Sequence, residues 1–227
     1  ALTSDGALIS SGTGNYGQQA AGDFAPSILP TLANLPPGQT VASLSSGAGS
    51  HQQLLTASGS LFSAGSFTAG QIGDGLPYVS ATPKVLSSAL FGGRSIVSVV
   101  SGVTHVLGLA SDGALFSWGD NYWGFLGNGP VAVPTASGGS LNFLVGKNTP
   151  QLVGAGYPIA SVAAGASHTV AVTSDGRLLA WGYSNRGQLG NGSSAAIPNS
   201  APVLIPSTGA LYGKTFVAVA CASDTSY

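Results

Sequence analysis

Three histidines (His51, His105, His168), three aspartates inside Ser-Asp-Gly tripeptides (Asp5, Asp112, Asp175) and a lone cysteine, Cys221, are the side chains with most chemistry to offer in this 227-residue sequence. Three imidazoles could hold a zinc ion, paired carboxylates could trade a proton, and a thiolate could attack a substrate. Their spacing argues against all three uses. Each histidine lies eight residues before a turn glycine (Gly59, Gly113, Gly176), so the three share one strand position in successive units. They are expected to be hydrogen-bonded strand histidines. The aspartates fall in hairpin turns, where Asp is selected for backbone geometry. Cys221 sits in the apolar run "FVAVACAS" with no histidine nearby in sequence, and reads as a small buried residue. The glycine-rich "GYSNRGQLGNG" lacks the Lys-Ser/Thr ending and following helix of a phosphate loop. No metal, cofactor or small-molecule substrate is expected, and the chain reads as non-enzymatic.

What must position these residues is a repeat. Trp181-Gly182 and Trp118-Gly119 match directly, with Ala64-Gly65 and Ser11-Gly12 in the same place in two weaker copies. Five residues before the first member of each pair stands a turn glycine (Gly6, Gly59, Gly113, Gly176), and six after it another (Gly17, Gly70, Gly124, Gly187). The copies are spaced by 53, 54 and 63 residues. "TSDGAL", "ASDGAL" and "TSDGRL" place Asp-Gly between alternating apolar runs, a hairpin signal that predicts a type I′ turn. "SIVSVVSGVTH" and "PIASVAAGASH" read as a further strand upstream, and the prolines of "ATPKVL" and "SAPVLIP" suit an outer edge strand. The sum is four short antiparallel strands per unit, the size of a propeller blade. The units run 1–38, 39–92, 93–152 and 153–212, with 213–227 supplying a strand that completes a terminal blade. Joined, the two ends read "TSYALTSDG" beside the intact "HTVAVTSDG", which sets Thr225 in the histidine position. The tryptophan position is predicted to fill the space between sheets, so Ala64 and Ser11 imply different packing in the first two blades.

Composition bounds the rest. Thirty-five glycines and thirteen prolines disfavour long helices. Charged residues make up 6% of the chain, glutamate and methionine are absent, and the net charge is -1. No basic surface is available for nucleic acid. The uncharged stretch 95–111 is interrupted by Ser98, Ser101, Gly102, Thr104 and His105, and reads as two strands rather than a membrane span. No signal peptide is visible at the start.

"WGYSNRGQLGNG" and "WGDNYWGFLGNG", each preceded by Gly-x-x-His and a Ser-Asp-Gly hairpin, resemble regulator of chromosome condensation repeats. The resemblance spans the chain, strongly in the third and fourth units and partially in the first two. It implies an all-β propeller, in this family usually of seven blades, of which four repeats would be a part; a closed four-bladed ring is the other option. It also implies functions that vary between members. The founding member exchanges nucleotide on a small GTPase and docks on chromatin, while others serve in ubiquitin ligases, ciliary proteins, plant photoreceptors and a secreted β-lactamase inhibitor.

Surface candidates are Tyr122, Trp123, Tyr183 and Arg186, which lie in the loops after the two Trp-Gly pairs. Aromatic and arginine side chains on loops are common interface anchors. Phe125 in the same loop reads as packing. The insert from Pro130 to Pro150, which lengthens one spacing to 63, is a second candidate. Asn191-Gly192-Ser193 forms a sequon, making Asn191 a glycosylation candidate if the chain is secreted. The function expected is a protein–protein interaction or structural scaffold module in an extracellular or cell-surface assembly. The alternative is a regulatory propeller, such as a nucleotide exchange factor or a protein inhibitor.

Overall fold

The computed structural model describes residues 1–66, 68–129, 146–194 and 199–227. The fold is all-β. Three sheets have four antiparallel strands each and run up and down in chain order. The first contains β3 (Val41–Gly47), β4 (His51–Thr56), β5 (Leu61–Gly65) and β6 (Ser80–Leu86). The second contains β7 (Ile96–Ser101), β8 (His105–Ala110), β9 (Leu115–Gly119) and β10 (Lys147–Leu152). The third contains β11 (Ile159–Ala164), β12 (His168–Thr173), β13 (Leu178–Gly182) and β14 (Asn199–Leu204). A two-stranded sheet precedes them, β1 (Ile9–Gly12) with β2 (Ser27–Leu32), and another follows, β15 (Cys221–Ala222) with β16 (Thr225–Ser226). Pro83 and Pro202 lie in β6 and β14, the edge strands where a missing N–H leaves no ladder bond open.

The hairpin turns differ from the type I′ expectation. Gly176 has φ of +80°, but Asp175 is not among the residues of positive φ, so only one turn residue is left-handed. Gly176 N–H donates to the Thr173 carbonyl at 2.9 Å, and Thr173 N–H to the Arg177 carbonyl at 2.9 Å. This is a type I turn closed by a glycine bulge, the usual form of a three-residue hairpin loop. The same two bonds recur around Gly6, Gly59 and Gly113. The aspartate acts from outside the left-handed position: Asp112 Oδ1 accepts the Ala114 N–H at 3.0 Å.

Packing between sheets follows the tryptophans. Trp118 and Trp181 are fully buried, each among apolar residues of its own sheet and the preceding one. Trp118 packs with Leu55, Leu61, Leu86 and Phe91, and Trp181 with Leu107, Leu109, Leu115 and Val153. The first two sheets meet through a smaller cluster of Leu8, Val41, Leu54 and Phe62, the buried Ala64 replacing the indole. The glycine after each tryptophan is obligatory. Gly182 has φ of +99°, and a Cβ there would fall 2.7 Å from the Ser167 carbonyl oxygen.

Candidate functional site

Two features repeat between sheets and decide what the conserved geometry can do: a histidine ladder and a loop face. His105 Nε2 is hydrogen-bonded to Thr169 Oγ1 of the next sheet at 3.3 Å, and His168 Nε2 to Ser226 Oγ at 2.9 Å. Thr169 and Ser226 also donate to the Phe125 and Gln188 carbonyls, at 3.4 and 2.7 Å. The hydroxyl of Ser226 is thereby spent as donor, which leaves the His168 imidazole as the donor through Nε2. His51 departs from the expected hydrogen-bonded histidine, because neither ring nitrogen has a partner. The reason is one substitution: the position after the following histidine, filled by Thr169 one unit later, is Val106.

The ladder is built to stay neutral. Burial lowers His51 from the usual 6.5 to about 4. Burial, with the neighbouring His51 and His168 adding to it, lowers His105 to about 3. His168 is lowered by burial, against a smaller opposing pull from Asp224. Each histidine bridges one sheet to the next, so the three imidazoles are rungs of one stack rather than a shared ligand set. Among the described residues, no group of three or more His, Cys, Asp or Glu side chains is placed to hold a metal ion.

The loops after the Trp-Gly pairs make the exposed face. The rings of Tyr122 and Trp123 meet edge-on with centroids 4.7 Å apart. Trp123 packs on Tyr183 from the adjacent sheet, 4.3 Å between centroids and 32° between planes. Tyr122 is exposed, and Trp123 and Tyr183 are half-buried. Three of the four candidate anchors thus form one aromatic patch spanning two sheets. Arg186 stands apart: its guanidinium faces Asp224 at 3.5 Å, beside the C-terminal strands. Phe125 is buried and stacks on His105 with centroids 5.2 Å apart. Its counterparts Gln71 and Gln188 instead accept the backbone N–H of Ala69 and Arg186, both at 2.9 Å. Asn191 is half-buried, and its Oδ1 accepts the Ser193 N–H at 3.0 Å. Cys221 is half-buried rather than fully buried, with burial pushing its thiol up. Most of the insert, residues 130–145, lies outside the described residues.

The tryptophans tie this face to the core. Trp118 Nε1 donates to the Gln71 carbonyl at 3.0 Å, and Trp181 Nε1 to the Phe125 carbonyl at 2.8 Å. Sequence reasoning placed the indoles between sheets but missed their acceptors and the hydroxyl partners of the histidines. The signal was available, since Thr169 and Ser226 follow the histidine position in their units.

The chain matches the family model described as regulator of chromosome condensation (RCC1) repeat over residues 112–172 and 175–227, and a second model of that description over 96–124 and 159–188. It is 31% identical over 229 residues to human (Homo sapiens) E3 ubiquitin-protein ligase HERC2, an alignment covering 100% of this chain and 4% of that protein. It is 31% identical over 201 residues to the ultraviolet-B receptor UVR8 of Arabidopsis thaliana, covering 86% and 41%. Among solved structures it is similar to Prp20p from Saccharomyces cerevisiae, with a TM-score of 0.79, 24% identity, and coverage of 98% of this chain and 51% of that one. Human WBSCR16 is similar at a TM-score of 0.77 and 23% identity, covering 98% and 52%. The chain spans less than half the length of these curated relatives and about half of the solved chains. These structural likenesses assign the β-propeller fold.

Proposed function

This chain belongs to the regulator of chromosome condensation repeat family, and on that premise we propose that its loop face binds and regulates a protein partner. The carrying observation is the aromatic patch of Tyr122, Trp123 and Tyr183, held on loops of two adjacent sheets by the buried core beneath. Large rings fixed on a rigid scaffold supply contact area at low entropic cost. The relatives support a regulatory reading. One is named as an ultraviolet-B receptor, one as a ubiquitin ligase, and the work on Prp20p describes binding to Gsp1p and histones. The preference for an extracellular scaffold gains no support from these names, and the exchange-factor or receptor class fits them better. The propeller is proposed to act by binding, with any chemistry supplied by its partners or by other domains.

A nucleotide-release assay against a panel of small GTPases, run with the protein and with its Trp123→Ala and Tyr183→Ala variants, tests this reading. Acceleration lost in both variants supports it. A structural role in an assembly is the second reading, favoured by 6% charge and a mean hydropathy of +0.34. Self-association that ignores Trp123 would favour that role instead.

A further inference from the structure

Beyond the loop face, the third four-stranded sheet ends in a cleft of about 440 Å³ between β12–β14 and the C-terminal strands. We propose that this cleft is a docking socket for a tryptophan-bearing β-hairpin of the chain's own repeat type. The case rests on comparing three equivalent places along the array. At the first two, an indole fills the gap. At the third, Val170, Leu178, Ile205 and Val219 line the cleft, standing where Leu107, Leu115, Val153 and Val162 surround Trp181.

Every neighbour of the indole has its counterpart in place. Gln71 O and Phe125 O accept the two indole N–H groups, and Phe125 O also accepts the Thr169 hydroxyl. Gln188 O, third in that series, accepts Ser226 Oγ, and a carbonyl has a second lone pair for an indole donor. A Cβ on Gly73 or Gly127 would fall 2.7 or 2.6 Å from the Nε1 of Trp118 or Trp181, whereas one on Gly190 meets nothing within 4 Å. Likewise Gly70 and Gly124 abut Asn148 and Ser200, in the outer strands of the following sheets, whereas Gly187 abuts nothing. Phe91 is 1% exposed and packs edge-on against Phe116 and Trp118, at 5.3 and 6.0 Å. Tyr212, which occupies the same place in "ALYGKTF" as Phe91 in "ALFGGRSI", is 80% exposed. The chain's own N-terminal sheet is a poor occupant, because Ser11 stands in its tryptophan position and brings neither ring nor indole N–H.

The probe is a synthetic peptide copying residues 171–192, whose single indole is that of Trp181. Titrated calorimetrically into the 227-residue protein, it should bind saturably, one to one. Trp181→Ala in the peptide should weaken binding at least about tenfold, as loss of a buried aromatic anchor does. Gly190→Ala in the protein, which sets a methyl where the indole would lie, should weaken it comparably with unchanged circular dichroism. A second arm removes the cost of ordering a free peptide: a copy of residues 171–205 fused after Tyr227 should raise the urea midpoint and protect Tyr212, and its Trp181→Ala version should not. An unchanged midpoint in the fused protein would overturn the proposal, as would equal binding of the alanine peptide. Head-to-tail association of the protein through its N-terminal sheet, undisturbed by the peptide, would assign the cleft to a second copy and overturn it too.

Discussion

Acidification should destabilise this protein in a window where its carboxylates are silent. His51 titrates at about 4 and His105 at about 3 in the folded chain, against 6.5 for the unexposed-to-partner reference imidazole of the unfolded chain. A depressed histidine binds no proton in the native state while the unfolded state takes one up, so stability falls as pH drops below 6.5 and levels out below the folded value. At pH 4.5 the unfolded chain has gained about 2.5 kcal/mol from each of the two groups, about 5 kcal/mol together. That is a large part of the 5–15 kcal/mol typical of a folded domain. The carboxylates act lower: Asp175 sits at about 2, and Asp5 and Asp112 are lowered from 3.8, so their contribution is lost only as pH falls through and below that range. The assay is urea denaturation at half-unit steps from pH 7.5 to 4.5, repeated with His51→Leu and His105→Leu. Each substitution should flatten the slope by about half. A flat profile in the unsubstituted protein, or a slope that survives both substitutions, would refute the ladder as its source.

Thr169→Val should cost about 1–3 kcal/mol by orphaning His105 Nε2, while Val106→Thr should raise His51 toward 6.5 by giving it a partner; urea midpoints and histidine proton resonances read the two. Trp181→Phe should lose the 2.8 Å bond to the Phe125 carbonyl with modest destabilisation, and Trp181→Ala about 3–5 kcal/mol, measured by thermal melting. Gly127→Ala should destabilise more than Gly190→Ala, because both pay the left-handed backbone cost of about 1–2 kcal/mol but only the first meets an indole. Equal costs would contradict the packing described.

The strands were legible because turn glycines and alternating apolar residues are local signals. Trp118 and Trp181 were legible as inter-sheet fillers for the same reason, since only a gap between twisted sheets takes an indole at that stride. The turn type was not, because Asp-Gly serves both type I′ and bulged hairpins, and the choice depends on how the flanking strands pair. The ladder was hidden for another cause: a histidine and its hydroxyl partner lie in different units, 64 residues apart for His105 and Thr169. The aromatic patch was half legible, with Tyr122, Trp123 and Tyr183 gathered while Arg186 turned to Asp224.

Each indole locks its sheet to the one before it and to no other, so the molecule behaves like a row of latched panels rather than a single vault. The panel formed by β1 and β2 has no such latch, and Ile28 and Leu29 on it face water. Heating should therefore fray the array from that side, with tryptophan fluorescence staying native while the first panel has already let go.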